Sequence, residues 1–387
     1  MNDFQFARIP KIHFGPGSIS LLPGILTHFG SRILVVVSKT YSKTSSFPLL
    51  FNELSKQTIQ PEVVDLSGEP SPLFVDTVVQ QKRPFQPDVI VSIGGGSIVD
   101  AGKAIAAMIP MEGSVRDFLE GVGTRSHTGQ KTPFIAIPTT AGTGSEATKN
   151  AVLSETGPNG FKKSLRHDNF VPDVTIIDPE LTRSCPADIS MPVGMDAFTQ
   201  LLEAFTSTHA SPMTDALAFS GMERVVESLP QVFKDPDNLE ARTDMAYAAL
   251  ISGITLANAG LGIVHGFASA IGGMFPIPHG VVCGALLAPA TRINIAKLKQ
   301  SEANPVSLRK YVETGKLFSY KQKSDDYFLQ LLHEKLREWT TTFNIPKLRM
   351  FGITDGDFDR IISGTTLKNS PVELSRDELM QILTEAS

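Results

Sequence analysis

The chain has 387 residues, 41% of them hydrophobic and 19% charged, with 31 Gly and 26 Pro. That is the composition of a globular protein, and the length exceeds what one core ordinarily supports, so two domains are expected. The net charge of −5 runs against the basic stripe of a nucleic-acid binder, and no nucleic-acid partner is expected.

The N-terminal stretch MNDFQFARIPKIHFGPG holds no continuous apolar run, so no signal peptide is read. Its ARIPKIHFG portion has strand character of the kind that extends a sheet across a subunit edge, and a homodimer is expected on that ground. Arg32–Val37 (RILVVV) and Val89–Ile93 (VIVSI) are continuous apolar runs of the type found in parallel strands buried on both faces. Phe134–Ile137 and Val174–Ile177 resemble them. A helical segment and the turn-rich GEPSP at 68–72 lie between the first two. Strands alternating with helices over residues 1–182 predict a doubly wound, Rossmann-like α/β domain with a parallel sheet, which binds ligands beyond the carboxyl ends of its strands.

Past residue 182 the strand signal ends, and 183–387 reads as an all-α domain. Its segments include Asp196–Thr206, Pro212–Ser228, Leu239–Asn258 and Asp326–Phe343, and a capping-box spacing begins at Ser375. The run Ala246–Phe275 is strongly apolar. It is interrupted by Asn258, His265 and several glycines and lacks basic flanks, so it is read as a buried helix pair, with no membrane partner. Cys185 and Cys283 are the only cysteines. They cannot build a disulfide framework or a thiolate zinc site, and they fit reduced, cytoplasmic usage.

Three constellations carry chemistry. In the first, Ile93–Lys103 (IGGGSIVDAGK), a buried strand runs into three glycines and then a helix. Such a turn lets the backbone approach a pyrophosphate, and the helix supplies N–H groups and the positive end of its dipole. It is not the GxGxxG fingerprint, and a Gly-rich strand–helix turn is structural about as often as functional. Asp100 and Lys103 fit either dipole complements or surface charges. The second, Pro138–Thr148 (PTTAGTGSEAT), also follows a strand, and its hydroxyls and glycines suit a second phosphate or a ribose. In the third, Asp196 and Gln200 share one helix face at a spacing of four, and His265 and His279 lie in the very apolar text GLGIVHGFASAIGGMFPIPHG. A lone apolar histidine is more often a satisfied core residue. Two of them with a buried carboxylate point to a divalent-metal site. His127 and His209 read as loop or surface residues.

Taken together, GGGSIVDAGKAIA, PTTAGTGSEAT, DPELT at 178–182, GMDAFTQLLEA and VHGFASAIGG…PHG resemble the iron-containing (group III) alcohol dehydrogenase family over essentially the full chain. The resemblance implies a dehydroquinate synthase-like architecture, NAD or NADP, and a divalent metal, Fe²⁺ or Zn²⁺, used on a small alcohol or aldehyde substrate. It assigns Gly95, Gly96 and Ser97 to the pyrophosphate, with Asp100 on the same turn. Thr139, Thr140 and Thr143 fall to the phosphates, ribose or nicotinamide, with Ser145, Lys162 and Leu181 completing the cofactor site. Asp196, His265 and His279 match the catalytic metal ligands.

Three departures stand out. The family's ligand four residues after the Asp is Gln200, an amide that binds a metal more weakly. A histidine associated with proton relay is Ser269. The acidic residue often found at the adenosine ribose is Ser38, with Lys39 beside it; this leaves NADP open, with NAD expected. A metal-free carbonyl reductase of the same fold, a dehydroquinate synthase-like lyase and a nucleotide-binding sensor are the alternative readings. Phe267 and Phe275 are read as core rather than as a substrate wall.

Overall fold

The computed structural model describes residues 3–56, 59, 61–157, 160–367 and 369–387. The chain divides into two compact units, one made of Ala7–Glu155 and Lys162–Cys185, the other built on Pro186–Ser387.

The first unit is organised by a six-stranded sheet. Its strands are β1 (Lys11–Phe14), β2 (Ile33–Ser38), β3 (Glu62–Leu66), β4 (Val89–Gly94), β5 (Phe134–Pro138) and β8 (Val174–Ile177), in the order β1-β8-β5-β4-β2-β3. All the pairings are parallel. A separate two-stranded sheet joins β6 (Asn150–Glu155) and β7 (Phe161–Arg166). The four continuous apolar runs are the central strands, buried along almost their whole length. In register, Val35 faces Val91, Val91 faces Ile135 and Ile135 faces Val174, so β-branched side chains stack across the sheet. Ile33, Val35, Val37, Val89, Val91, Ile93, Ile135 and Ile137 share one face with Leu22 and Leu26 of α1 (Leu22–Leu26) and Leu50 and Leu54 of α2 (Ser46–Lys56). The other face carries α3 (Pro72–Lys82) and α4 (Gly96–Met108).

One strand of the main sheet differs from the sequence expectation. β3 was hidden because its EVVDL text is half exposed, as an edge strand is. The N-terminal segment forms a strand as expected: β1 pairs in parallel with β8 and is an edge strand of the sheet. The sheet winds outward from β2 to β3 on one side, while β4 lies on the other side of β2. This reversal is the switch point at which open α/β sheets bind ligands. Ser38, Gly94 and Pro138 end the three strands around it.

The second unit is helical. Its long helices are α5 (Ala187–Thr206), α6 (Pro212–Lys234), α7 (Leu239–Ala259), α8 (Ile263–Met274) and α9 (His279–Ser301). They are followed by α10 (Pro305–Lys316), α11 (Asp325–Thr342), α12 (Phe358–Gly364) and α13 (Arg376–Ala386). Helix starts are chemically marked: Ser211 and Ser375 form capping boxes with Thr214 and Glu378, and Ser324 caps α11. α5 packs on α6, α7 and α9, so its apolar length is enclosed. α7 and α8 form the expected buried pair, bent by 98° at the break between them. α9 is long and apolar enough to cross a membrane, but most of it is packed inside this unit.

The loop after β5 is pinned to α4 by a charge that does not reach the surface. Lys103 is only 1% exposed, which excludes the surface-charge reading of the two that the sequence allowed. Its ammonium donates to the Ser145 carbonyl at 2.7 Å, the Asn150 carbonyl at 2.8 Å and the Thr148 hydroxyl at 3.1 Å. One turn back on the same helix face, the Asp100 carboxylate accepts from the Ser145 hydroxyl. Burial lowers the Lys103 pKa to about 8 against the pull of Asp100 and Glu146, and burial raises Glu146 to about 7. Asp100 and Lys103 are thus a clamp on the loop. Replacing Lys103 with Met strands three acceptors and a carboxylate in the interior. The expected cost is about 3–5 kcal/mol, read as a lowered denaturant midpoint; a change below about 1 kcal/mol would contradict the clamp.

Candidate metal centre and cofactor loops

In the helical unit, α5 presents Asp196, Gln200 and Glu203 on one face, at spacings of four and seven residues. α8 brings His265 on its first turn, and α9 begins at His279. The Asp196 Oδ1 atom lies 3.2 Å from His265 Nε2 and 3.8 Å from His279 Nε2. Cys283, one turn into α9, places its Sγ 3.8 Å from His265 Nε2 and 3.7 Å from His279 Nε2. The four ligand atoms of Asp196, His265, His279 and Cys283 all lie within 4.8 Å of one another. The structure therefore brings together the three expected ligands and adds a cysteine that the sequence reading had set aside.

Glycines set two close approaches around these helices. A Cβ on Gly280 would stand 2.7 Å from the Pro192 carbonyl of α5, and one on Gly266 would stand 2.5 Å from the Thr366 carbonyl. Gly280 thus admits α9 against α5, whereas Gly266 seats α8 on the segment that follows α12.

Glu203 organises the histidine. Its Oε2 sits 2.7 Å from His265 Nδ1, and its Oε1 accepts the Val264 N–H at 2.7 Å. Val264 lies in the first turn of α8, so the carboxylate also caps that helix at the positive end of its dipole. His265 thus turns Nδ1 to Glu203 and Nε2 to Asp196, and a carboxylate on the far nitrogen is the arrangement that orients metal-bound imidazoles.

Asp196 is 0% exposed. Burial acts to raise its pKa, but His279 and His265 outweigh it and hold the carboxyl below its ordinary range. Burial acts to depress His265, but Cys283, Asp196 and Glu203 around it raise it well above the usual value. Burial and the Asp196 carboxylate push the Cys283 thiol up to about 12. The second Asp196 oxygen, Oδ2, is buried with no hydrogen bond among the described residues. A carboxylate drawn down by cationic neighbours, with one oxygen unsatisfied and nitrogen and sulfur donors around it, fits a divalent transition metal.

Gln200 is buried on the same helix, but its Oε1 accepts from the Ser252 hydroxyl at 2.7 Å. Ser269 is exposed, and its hydroxyl donates to the His265 carbonyl at 2.9 Å. Phe267 is fully buried, as core. His209 is exposed as expected, whereas His127 is half-buried, bonded to the Ala107 carbonyl and packed against Phe118 and Phe170.

In the α/β unit, Gly95 caps α4 without a side-chain hydrogen bond, which leaves the helix start to backbone donors. Gly95, Gly96 and Ser97 are partly exposed, as are Thr139, Thr140 and Thr143 on the loop after β5. The two loops touch: a Cβ on Gly95 would lie 3.3 Å from the Thr140 hydroxyl, and one on Gly96 would collide with Thr143. Asp100, partly exposed like the rim, accepts from the hydroxyl of the buried Ser145. Ser38 ends β2 and accepts the Tyr41 N–H at 3.0 Å, while Lys39 pairs with Asp65 at 3.6 Å. Lys162 on β7 pairs with Glu69, and Leu181 belongs to the core under the sheet.

Two residues of this site escaped the sequence reading. Glu203 stands seven residues after Asp196 in an apolar helix, and Cys283 four after His279; helical spacing from the recognised ligands is the signal that marks both.

The comparisons agree on both halves. The family model for iron-containing alcohol dehydrogenase matches residues 10–179, and that for the C-terminal region of the Fe-containing alcohol dehydrogenase family matches 191–387. The 1,3-propanediol dehydrogenase of Klebsiella pneumoniae is 35% identical, with 74% of each chain covered. The NADPH-dependent butanol dehydrogenase of Clostridium saccharobutylicum is 29% identical over 98% of this chain and 96% of the relative. Among solved structures, the sulfoacetaldehyde reductase of Bifidobacterium kashiwanohense in complex with NAD⁺ superposes with a TM-score of 0.85 at 27% identity, covering 99% of this chain and 98% of that one. The chain belongs to the iron-containing alcohol dehydrogenase family, whose members are oxidoreductases acting on CH–OH groups.

Proposed function

We propose that this chain is an NAD-dependent alcohol dehydrogenase that interconverts a small alcohol and its aldehyde at a divalent-metal centre held by Asp196, His265 and His279. The observation that carries the reading is the buried Asp196 carboxylate with two imidazole nitrogens facing one of its oxygens at 3.2 and 3.8 Å. When bound, the metal supplies Lewis-acid polarisation of the substrate oxygen, and the nicotinamide supplies or accepts the hydride. The chain's own part is positional. Glu203 fixes the tautomer and tilt of His265. Asp196 contributes the negative charge, and the surrounding Ile263, Val264 and Phe267 are buried and apolar, which keeps the local dielectric low. The Ser269 hydroxyl is already committed to a main-chain carbonyl, which supports delivery of the alcohol proton to solvent rather than through this side chain.

The Gly95–Ser97 turn and the Thr139–Thr143 loop are assigned to the cofactor phosphates and ribose. Lys39 is partly neutralised by Asp65, which weakens the case for a 2′-phosphate and favours NAD. The two cysteines are both free thiols, in keeping with a cytoplasmic protein. A homodimer remains our assignment, with the outer edge of β1 as the place where a second sheet edge would add.

Aldehyde reduction with short aldehydes is expected to be lost on chelation and restored by Zn²⁺ or Fe²⁺; activity indifferent to chelator would move the reading to a metal-free reductase. Metal retention should weaken as pH falls, because binding displaces the proton that His265 holds above its ordinary pKa. NADH is expected to give a kcat/KM at least about ten-fold above that of NADPH, a difference of about 1.4 kcal/mol; the reverse order would overturn the reading of Lys39 and Asp65. Glu203→Gln is expected to lower metal affinity about 10–100-fold, measured by competition with a chromophoric chelator, and an unchanged affinity would remove Glu203 from its orienting role.

A further inference from the structure

The expected ligand set leaves one position open, because the residue four after Asp196 is Gln200 and not a histidine. We propose that Cys283 is the fourth protein ligand of this centre, in place of Gln200, and that its sulfur biases the site toward zinc over iron. The proposal rests on the reading of the Asp196–His265–His279 cluster as a metal centre.

The geometry carries it. A tetrahedral site with metal–ligand bonds of about 2.0–2.3 Å has ligand-to-ligand edges of about 3.3–3.8 Å. Of the six edges, three fall in that range and one lies just below it: 3.8 Å from Asp196 Oδ1 to His279 Nε2, 3.8 and 3.7 Å from Cys283 Sγ to the two imidazole Nε2 atoms, and 3.2 Å from Asp196 Oδ1 to His265 Nε2. Sulfur therefore stands at metal-site spacing from both imidazole nitrogens, and all four ligand atoms lie within 4.8 Å of one another.

The placement is also rigid. Cys283 and His279 lie four residues apart on the first turns of α9, so one helix face presents both. Cys283 is 0% exposed, and its nearest polar neighbours are the proposed ligands themselves. Gln200 is engaged elsewhere, its carbonyl oxygen holding the Ser252 hydroxyl at 2.7 Å. Ligand chemistry then sets the preference. A thiolate with two imidazoles and a carboxylate is a softer set than imidazoles and carboxylate alone, and thiolates select zinc. Binding takes the thiol proton into solvent, so no oxidant or reductant is needed.

Cobalt(II) tests the sulfur directly, without reference to turnover. Full-length protein is stripped of metal and titrated with Co²⁺; visible d–d bands report occupancy and a near-ultraviolet charge-transfer band reports a Co–thiolate bond. The expected result is both sets of bands in the wild type, with the charge-transfer band lost in Cys283→Ser and Cys283→Ala and kept in Cys185→Ser and Gln200→Ala. Occupancy bands without the charge-transfer band in the wild type would overturn the cysteine ligand while leaving the metal centre in place. Failure of Co²⁺ to bind at all would overturn both. Because zinc already outranks iron on nitrogen and oxygen donors, the selectivity is read as a ratio: zinc affinity relative to Fe²⁺ is expected to fall about ten-fold or more in Cys283→Ser, and an unchanged ratio would overturn the claimed bias.

Discussion

A carboxylate with no access to water governs the helical unit. Asp196 is fully buried, and taking such an ion out of water costs several kcal/mol unless opposite charge meets it. Everything around it answers that cost. α8 and α9 each bring an imidazole to the same carboxylate oxygen, and Gly280, directly after His279, lets α9 approach α5 closely. Glu203 then serves twice, capping α8 and holding the far nitrogen of His265. The remaining unsatisfied oxygen of Asp196 is the mark of a site shaped for a cation.

The α/β unit solves a different problem with the same device. Phosphate binding calls for exposed backbone N–H groups at the start of α4 and a second loop beside them, and flexible Gly/Thr loops do not hold a shape unaided. The Lys103 ammonium, buried below the rim and bonded to two carbonyls and a hydroxyl, supplies the missing rigidity. Asp100, three residues earlier, fixes the same loop through Ser145. The polar residues of this motif thus divide between a partly exposed rim and a buried foundation, a division that a string of letters does not display.

What was legible in the sequence follows from how the physics is written there. Strands buried on both faces must be apolar at every position, and β2, β4, β5 and β8 were read almost to the residue. Edge strands carry a mixed pattern, so β3 passed unseen, and β1 was seen as a strand without its pairing to β8. The two-stranded sheet of β6 and β7 left no such signature. The histidines and Asp196 stood out because titratable residues in apolar text require an explanation. Glu203 and Cys283 carry the same signal more quietly: a glutamate ordinarily ends up on a solvent face, and a lone cysteine ordinarily counts as a small apolar residue. Only the packing of α5 against α8 and α9 shows which face each one shares. The burial of Lys103 stayed illegible for the same reason, since a helix pattern records the face a residue lies on and not what covers it.

The account stands on the claim that the Asp196 cluster exists to hold a divalent cation. Elemental mass spectrometry of wild type and Asp196→Asn, both purified without chelator, tests it most directly. The account predicts a stoichiometric divalent metal in the wild type and its loss in the variant, with zinc ahead of iron. A wild-type protein that folds, binds its dinucleotide and turns over aldehyde with no metal above background would contradict it.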